Sequence, residues 1–145
     1  MAHTATRRAF RAAPPRPRVS RRLAGVEVIL LVEDDATLRA FVRDGLESYG
    51  YVVLPAANGA EALRYLRMLS APPDLLLTDL LMPQLSGREL IETLEREGKL
   101  PKVLMMAGYA GGVRRRTQRA AKYPLLRKPF THVELASKVR AVLDG

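Results

Sequence analysis

The chain has 145 residues, 48% of them hydrophobic, which suits one domain with a substantial core and leaves no room for a second folded domain beside it. It has no cysteine, which excludes disulfides and thiolate metal sites and agrees with a reducing compartment, so the cytoplasm is the expected location. The net charge of +9 is concentrated at one end: residues 1–25 hold seven arginines and no acid, leaving 17 basic and 15 acidic residues in the rest. The folded part is therefore nearly neutral, and only the basic arm could touch nucleic acid or anionic lipid, a solvated arm being its expected state. The longest apolar stretches are about half of a bilayer span. No apolar signal region follows the basic N-terminus, so neither secretion nor membrane insertion is expected.

Residues 1–25, with prolines at 14, 15 and 17 and no sustained apolar face, form a disordered arm, and a single folded domain covers 26–145. Val26–Val32 is a continuous apolar run, a strand buried on both faces. Ala36–Tyr49 follows as a helix with Leu38, Phe41, Val42, Gly45, Leu46 and Tyr49 on one face, and Gly50 ends it. Tyr51–Pro55 is a short second strand. Asn58-Gly59 opens a helix carrying Leu63, Leu66 and Leu69, which Pro72-Pro73 stops. Asp74–Thr78 is a third strand, Gly87–Glu97 a helix closed by Gly98, and Val103–Ala107 a fourth strand. Val113–Lys122 reads as a basic fourth helix, Leu125–Arg127 as a brief fifth strand and Thr131–Leu143 as the last helix, with Thr131 as N-cap and Glu134 completing a capping box. Alternation of strands and helices predicts an α/β fold, a doubly wound parallel sheet with helices on both faces.

In such sheets the functional crevice lies beyond the carboxyl ends of the strands. Glu33, Asp34 and Asp35 stand after the first strand, Asp79 after the third and Lys128 after the fifth, so acids and a lysine converge at one edge. A carboxylate can attack phosphorus and become an acyl phosphate, provided a divalent cation and a fixed positive side chain stabilise the charge on the phosphoryl oxygens. Mg²⁺ suits this role because it binds through one or two carboxylates and keeps other oxygens as ligands. Asp35 has a simpler reading as the N-cap of the following helix.

The motifs LLVEDD at 30–35, TDLLMPQLSG at 78–87 and KPF at 128–130 resemble the receiver domains of two-component response regulators, over residues 26–143. That resemblance implies the flavodoxin-like, CheY-like (βα)5 fold with strand order 2-1-3-4-5. It makes Asp79 the phosphoacceptor and Lys128 the side chain that binds phosphoryl oxygens. It assigns Mg²⁺ to Asp34 directly, Glu33 through water, Asp79 and the backbone carbonyl of Leu81. It implies a cis peptide before Pro129. It names a histidine kinase or histidine phosphotransfer protein as phosphoryl donor, to a standalone regulator or a receiver of a hybrid kinase. It also offers the face of the fourth helix, fifth strand and last helix for a dimer or effector contact. Such a domain phosphorylates and dephosphorylates itself and is not a turnover enzyme.

Two positions depart from the family pattern. Ala107 stands where a Ser or Thr hydroxyl is usual, and Leu125 where the aromatic half of the switch is usual, with Tyr123 two positions early and Tyr109 two after Ala107. Phosphorylation with weak conformational coupling is the expectation. A haloacid-dehalogenase-like hydrolase would need an aspartate two residues after the nucleophile, where Leu81 stands. A phosphorylation-independent interaction module on the same fold is the other reading. His132 at the start of the last helix is expected to be exposed, and His3 and His132 form no metal or catalytic set.

Overall fold

A computed structural model of the chain describes residues 21–82, 85–108 and 122–145. Residues 1–20 of the arm expected over 1–25, the basic helix through residue 121 and Tyr109 lie outside the described residues. Residues 21–25 are described and not disordered, with Leu23 packed on the core and the Gly25 amide bonded to the Tyr49 carbonyl. The strands are β1 (Val28–Val32), β2 (Val52–Ala56), β3 (Leu75–Asp79), β4 (Lys102–Ala107) and β5 (Leu125–Arg127). The described helices, numbered in chain order, are α1 (Ala36–Ser48), α2 (Gly59–Met68), α3 (Gly87–Glu97) and α4 (His132–Asp144). All strands pair in parallel, in the order β2-β1-β3-β4-β5. Among the described residues, no helix is long and apolar enough to cross a membrane.

The apolar runs divide between two faces because successive strand side chains point to opposite sides. Ile29, Leu31, Leu75, Leu77, Leu104 and Met106 pack with Val42 and Leu46 of α1 and Leu135 and Val139 of α4. Leu30, Val32, Leu76, Val103, Met105 and Ala107 pack with Ala62 of α2 and Leu90, Ile91 and Leu94 of α3. The sheet is thus covered on both sides, as its unbroken hydrophobic strands require. Helix starts are capped, at Asp35, Asn58 and Thr131 as expected and at Ser86 besides: their side chains accept from the amides of Leu38, Glu61, Glu134 and Glu89 respectively. Gly98 ends α3 in the left-handed conformation, φ 65°.

The first strand begins two residues later than its hydrophobic run, because Val26 is 82% exposed and Glu27 turns to the last helix. The guanidinium of Arg140 bonds Glu27 at 2.6 Å, Asp144 at 2.8 Å, the Tyr51 hydroxyl at 3.0 Å and the Ala24 carbonyl at 3.3 Å. Bidentate charge-assisted bonds of this kind fix geometry as well as add energy. They hold the lead-in to β1 at the end of the sheet opposite the acids, with Leu23 packed against the core.

His132 is half-buried rather than exposed. Its ring lies 4.0 Å from that of Phe41 and its Nε2 is 2.9 Å from the Phe41 carbonyl. Gly45 makes this possible: a Cβ there would stand 2.5 Å from the imidazole. Phe41, placed by its spacing on the buried face of α1, remains 38% exposed because it packs sideways on His132 and Phe130 instead of into the sheet.

Gly45→Ala should therefore destabilise the fold by about 1–3 kcal/mol through overpacking. The same substitution beside His132→Ala should cost clearly less, because the clash is gone. Chemical denaturation of the two single variants and the double variant checks this; equal costs in both backgrounds would contradict it.

Candidate functional site

Parallel pairing brings the ends of β1, β3 and β5 to one edge, and the backbone there is tied across the sheet. The Glu33 amide donates to the Ala56 carbonyl at 3.0 Å, the Leu80 amide to the Met106 carbonyl at 2.9 Å, and the Lys128 amide to the Ala107 carbonyl at 2.8 Å. Each residue that follows a strand is therefore held by the neighbouring strand.

Carboxylate oxygens of Glu33, Asp34 and Asp79 lie within 4.8 Å of one another. Glu33 is 1% exposed and Asp79 7%, whereas Asp34 is exposed. Lys128 Nζ donates to Asp79 Oδ2 at 2.9 Å and to Glu33 Oε2 at 3.3 Å. The Leu81 amide donates to the other Asp79 oxygen, Oδ1, at 3.3 Å, which brings the backbone of Leu81 to the site while its side chain is 61% exposed. Asp35, by contrast, is committed to its capping bond with the Leu38 amide at 2.9 Å. The residues expected to share a site are together, and Asp35 acts as a cap.

Three carboxylates face one ammonium, and the excess negative charge shows in Glu33. Burial first, then the neighbouring charge of Asp79, push its carboxyl up to about 7, with Lys128 opposing. Hydrogen bonds and charge from Asp79 and Glu33 hold the Lys128 ammonium above its ordinary value against desolvation. A compact set of hard oxygen donors with a residual negative charge fits a hard divalent cation.

Gly87 matters for space rather than for a turn. A Cβ at this position would meet the carbonyl oxygen of Asp79 and lie 3.1 Å from Thr78 Oγ1, so α3 can start against the end of β3 only with glycine there. The Lys128–Pro129 peptide is cis, as the resemblance implied.

The structure also places the two departures. Ala107 is buried at the end of β4 and pairs with Arg127, and half-buried Leu125 packs on the α2–α3 side of the sheet. Tyr123 does not stand in for the missing aromatic residue. Its hydroxyl donates to Glu95 of α3, and burial and that bond push the phenol up to about 12. One contributor escaped the sequence reading. Arg39, half-buried on α1, donates to the Glu33 carbonyl at 2.8 Å and the Asp34 carbonyl at 3.4 Å.

Comparison with known families matches residues 29–140 to the response regulator receiver domain. The chain belongs to that family. The receiver is 35% identical over 123 residues to the sensor kinase CckA of Brucella abortus (strain 2308), covering 84% of this chain and 13% of the kinase. It is 34% identical over 116 residues to the response regulator receiver protein CpdR of the same organism, covering 79% of this chain and 95% of that protein. A crystal structure of the receiver domain from the hybrid histidine kinase CckA superposes with a TM-score of 0.66 at 31% identity, over 80% of this chain and 98% of that one. Receivers of two-component systems thus share this fold. The receiver spans only a small part of the sensor kinase it matches and nearly the whole of the single-domain regulator.

The raised Glu33 carboxyl gives a sign for stability. Between the unfolded value near 4.5 and the folded value near 7 the folded state binds the extra proton, so this group's contribution falls as pH rises through that window. In EDTA, Asp79→Asn removes the like charge and should flatten that decline, raising the melting temperature relative to the native receiver at pH 7.5 more than at pH 5. Thermal unfolding across this range checks it; an unchanged difference between the two proteins would contradict it.

Proposed function

We propose that this receiver accepts a phosphoryl group on Asp79 from a phosphohistidine, carried by a histidine kinase or a histidine phosphotransfer protein, and that Mg²⁺ is required. The observation that carries the reading is the buried Asp79, with one carboxylate oxygen on Lys128 and two further carboxylates within 4.8 Å. In the transfer, a carboxylate oxygen of Asp79 bonds to phosphorus while the bond from phosphorus to the donor imidazole nitrogen breaks, and the electron pair leaves with the imidazole. The product is an acyl phosphate, which water later hydrolyses, so the receiver carries out its own phosphorylation and dephosphorylation without being a turnover enzyme. Asp34, Asp79 and the Leu81 carbonyl, with Glu33 through water, would hold Mg²⁺, which would supply the positive charge that transferring phosphoryl oxygens need. Lys128 supplies a second, fixed positive charge, already aimed at Asp79. Burial of Asp79 and Glu33 limits water at the reacting edge, which strengthens both interactions.

The signalling state then depends on partners. The relatives are named as a sensor kinase and as a response regulator receiver protein, and this receiver serves in one or the other arrangement in a cytoplasmic relay. The face of β5, α4 and the segment between β4 and β5 is the proposed contact for a dimer or effector. A second reading, an interaction module independent of phosphorylation, is favoured by Ala107 and Leu125, which supply neither the hydroxyl nor the aromatic ring of the usual switch.

Intact mass after incubation with acetyl phosphate separates the two. A gain of one phosphoryl group that needs Mg²⁺ and is absent in Asp79→Asn is the expected result, and no gain by a native protein that binds Mg²⁺ supports the interaction module. Ala107→Thr restores a hydroxyl beside the acceptor, and a bond from it to a charged phosphoryl oxygen should raise the phosphorylation rate about tenfold. Equal rates for the variant and native protein, followed by the same mass measurement, would contradict that role for position 107.

A further inference from the structure

The loop that presents Glu33 and Asp34 is gripped by one side chain of the next helix. Arg39 Nη1 bonds the Glu33 carbonyl at 2.8 Å and reaches the Asp34 carbonyl at 3.4 Å, while the Arg39 amide bonds the Asp35 carbonyl at 2.8 Å. One residue thus holds three successive carbonyls. The loop's inner side is tied by the Asp35 amide, which donates to Glu33 Oε1 at 3.2 Å, and by the Asp35 carboxylate on the Leu38 amide.

This grip lies where the sheet's own hold ends. The Glu33 amide makes the last bond to β2, and beyond it the chain turns away with two acids facing Asp79. Repulsion among these carboxylates favours a loop that swings outward. A guanidinium stays charged at every pH at which the protein folds, so it both restrains the backbone and places a positive charge beside the acids.

We infer that Arg39 is a positioning residue for the divalent cation: it holds the Glu33–Asp34 backbone in the cation-ready arrangement before the cation arrives. The inference rests on the reading of this edge as a Mg²⁺ site. A site ordered in advance does not have to be ordered on binding, and partners that orient ligands from outside the coordination sphere are commonly worth tenfold or more in metal affinity.

Calorimetric titration with magnesium chloride at fixed pH and ionic strength, on the native protein, Arg39→Gln, Arg39→Lys and Asp34→Asn, tests it. Arg39→Gln should bind about tenfold more weakly. Arg39→Lys should fall between it and the native protein, because an ammonium supplies charge and a single point of contact. A merely structural role would lower the melting temperature equally in EDTA and in saturating Mg²⁺ and leave the dissociation constant unchanged; that result overturns the proposal. Native binding of Mg²⁺ with unchanged affinity in Arg39→Gln overturns the role of Arg39 alone. No binding by the native protein, or equal binding by Asp34→Asn, overturns the Mg²⁺ reading and this inference with it. A measurement on the native chain needs no variant: the Asp35 amide should be protected from hydrogen exchange in EDTA, and protection that appears only with Mg²⁺ would overturn the pre-set loop.

Discussion

Three carboxylates share one ammonium at the carboxyl edge of the sheet, and that imbalance sets the character of the site. A buried carboxylate is costly unless it is paired, and a surplus of them is costlier. Lys128 satisfies Asp79 and part of Glu33, leaving the group negatively charged and Glu33 inclined to keep its proton. The same imbalance suits the edge to a divalent cation, whose hard positive charge would offset the surplus. The site is held in a state that a cation would relieve.

Holding it there is the work of the sheet. Parallel strands place every carboxyl end on one edge, and each of the residues beyond β1, β3 and β5 gives its amide to a neighbouring strand's carbonyl. Gly87 lets α3 start against the end of β3, so the main chain of Asp79 is backed by helix. Ala107 keeps its place in this arrangement even without a hydroxyl, since its carbonyl receives the Lys128 amide. The chemistry at the edge therefore depends on backbone geometry that substitution at 107 leaves intact.

Much of this was legible in the sequence, for reasons that differ by residue. Strand β5 and, to within one residue, β3 follow from short apolar runs, and the end of α3 from Gly98, signals that act locally. The convergence of Glu33, Asp34, Asp79 and Lys128 was legible because each stands at a strand end of a parallel sheet, and the resemblance to receivers supplied the strand order. What remained hidden depends on contacts between distant segments. Val26 leaves the sheet because Glu27 is drawn to Arg140, 113 residues away. His132 fills a space opened by Gly45, and no periodicity within either helix announces it. Arg39 is closer to a local signal, five and six positions after the carbonyls it binds, but an arginine at the start of an amphipathic helix reads as a solvated charge until the loop's path is known.

Tyr123 ties the chain that leads into β5 to the helix α3. An aromatic ring in the place of Leu125 could move between exposed and buried positions as the site changes, and leucine has no hydroxyl and no plane to signal with. Tyr123 is tied instead to Glu95 on α3, which Lys122 also pairs at 3.3 Å, so the strand leading into β5 is fastened to a helix that starts directly behind Asp79. A shift of α3 against the sheet would pull on that fastening. The lead-in to β5 is thus joined to α3 by an ion pair and a phenol bond. Exposed ion pairs are weak restraints, so the phenol bond is the stronger half of this fastening.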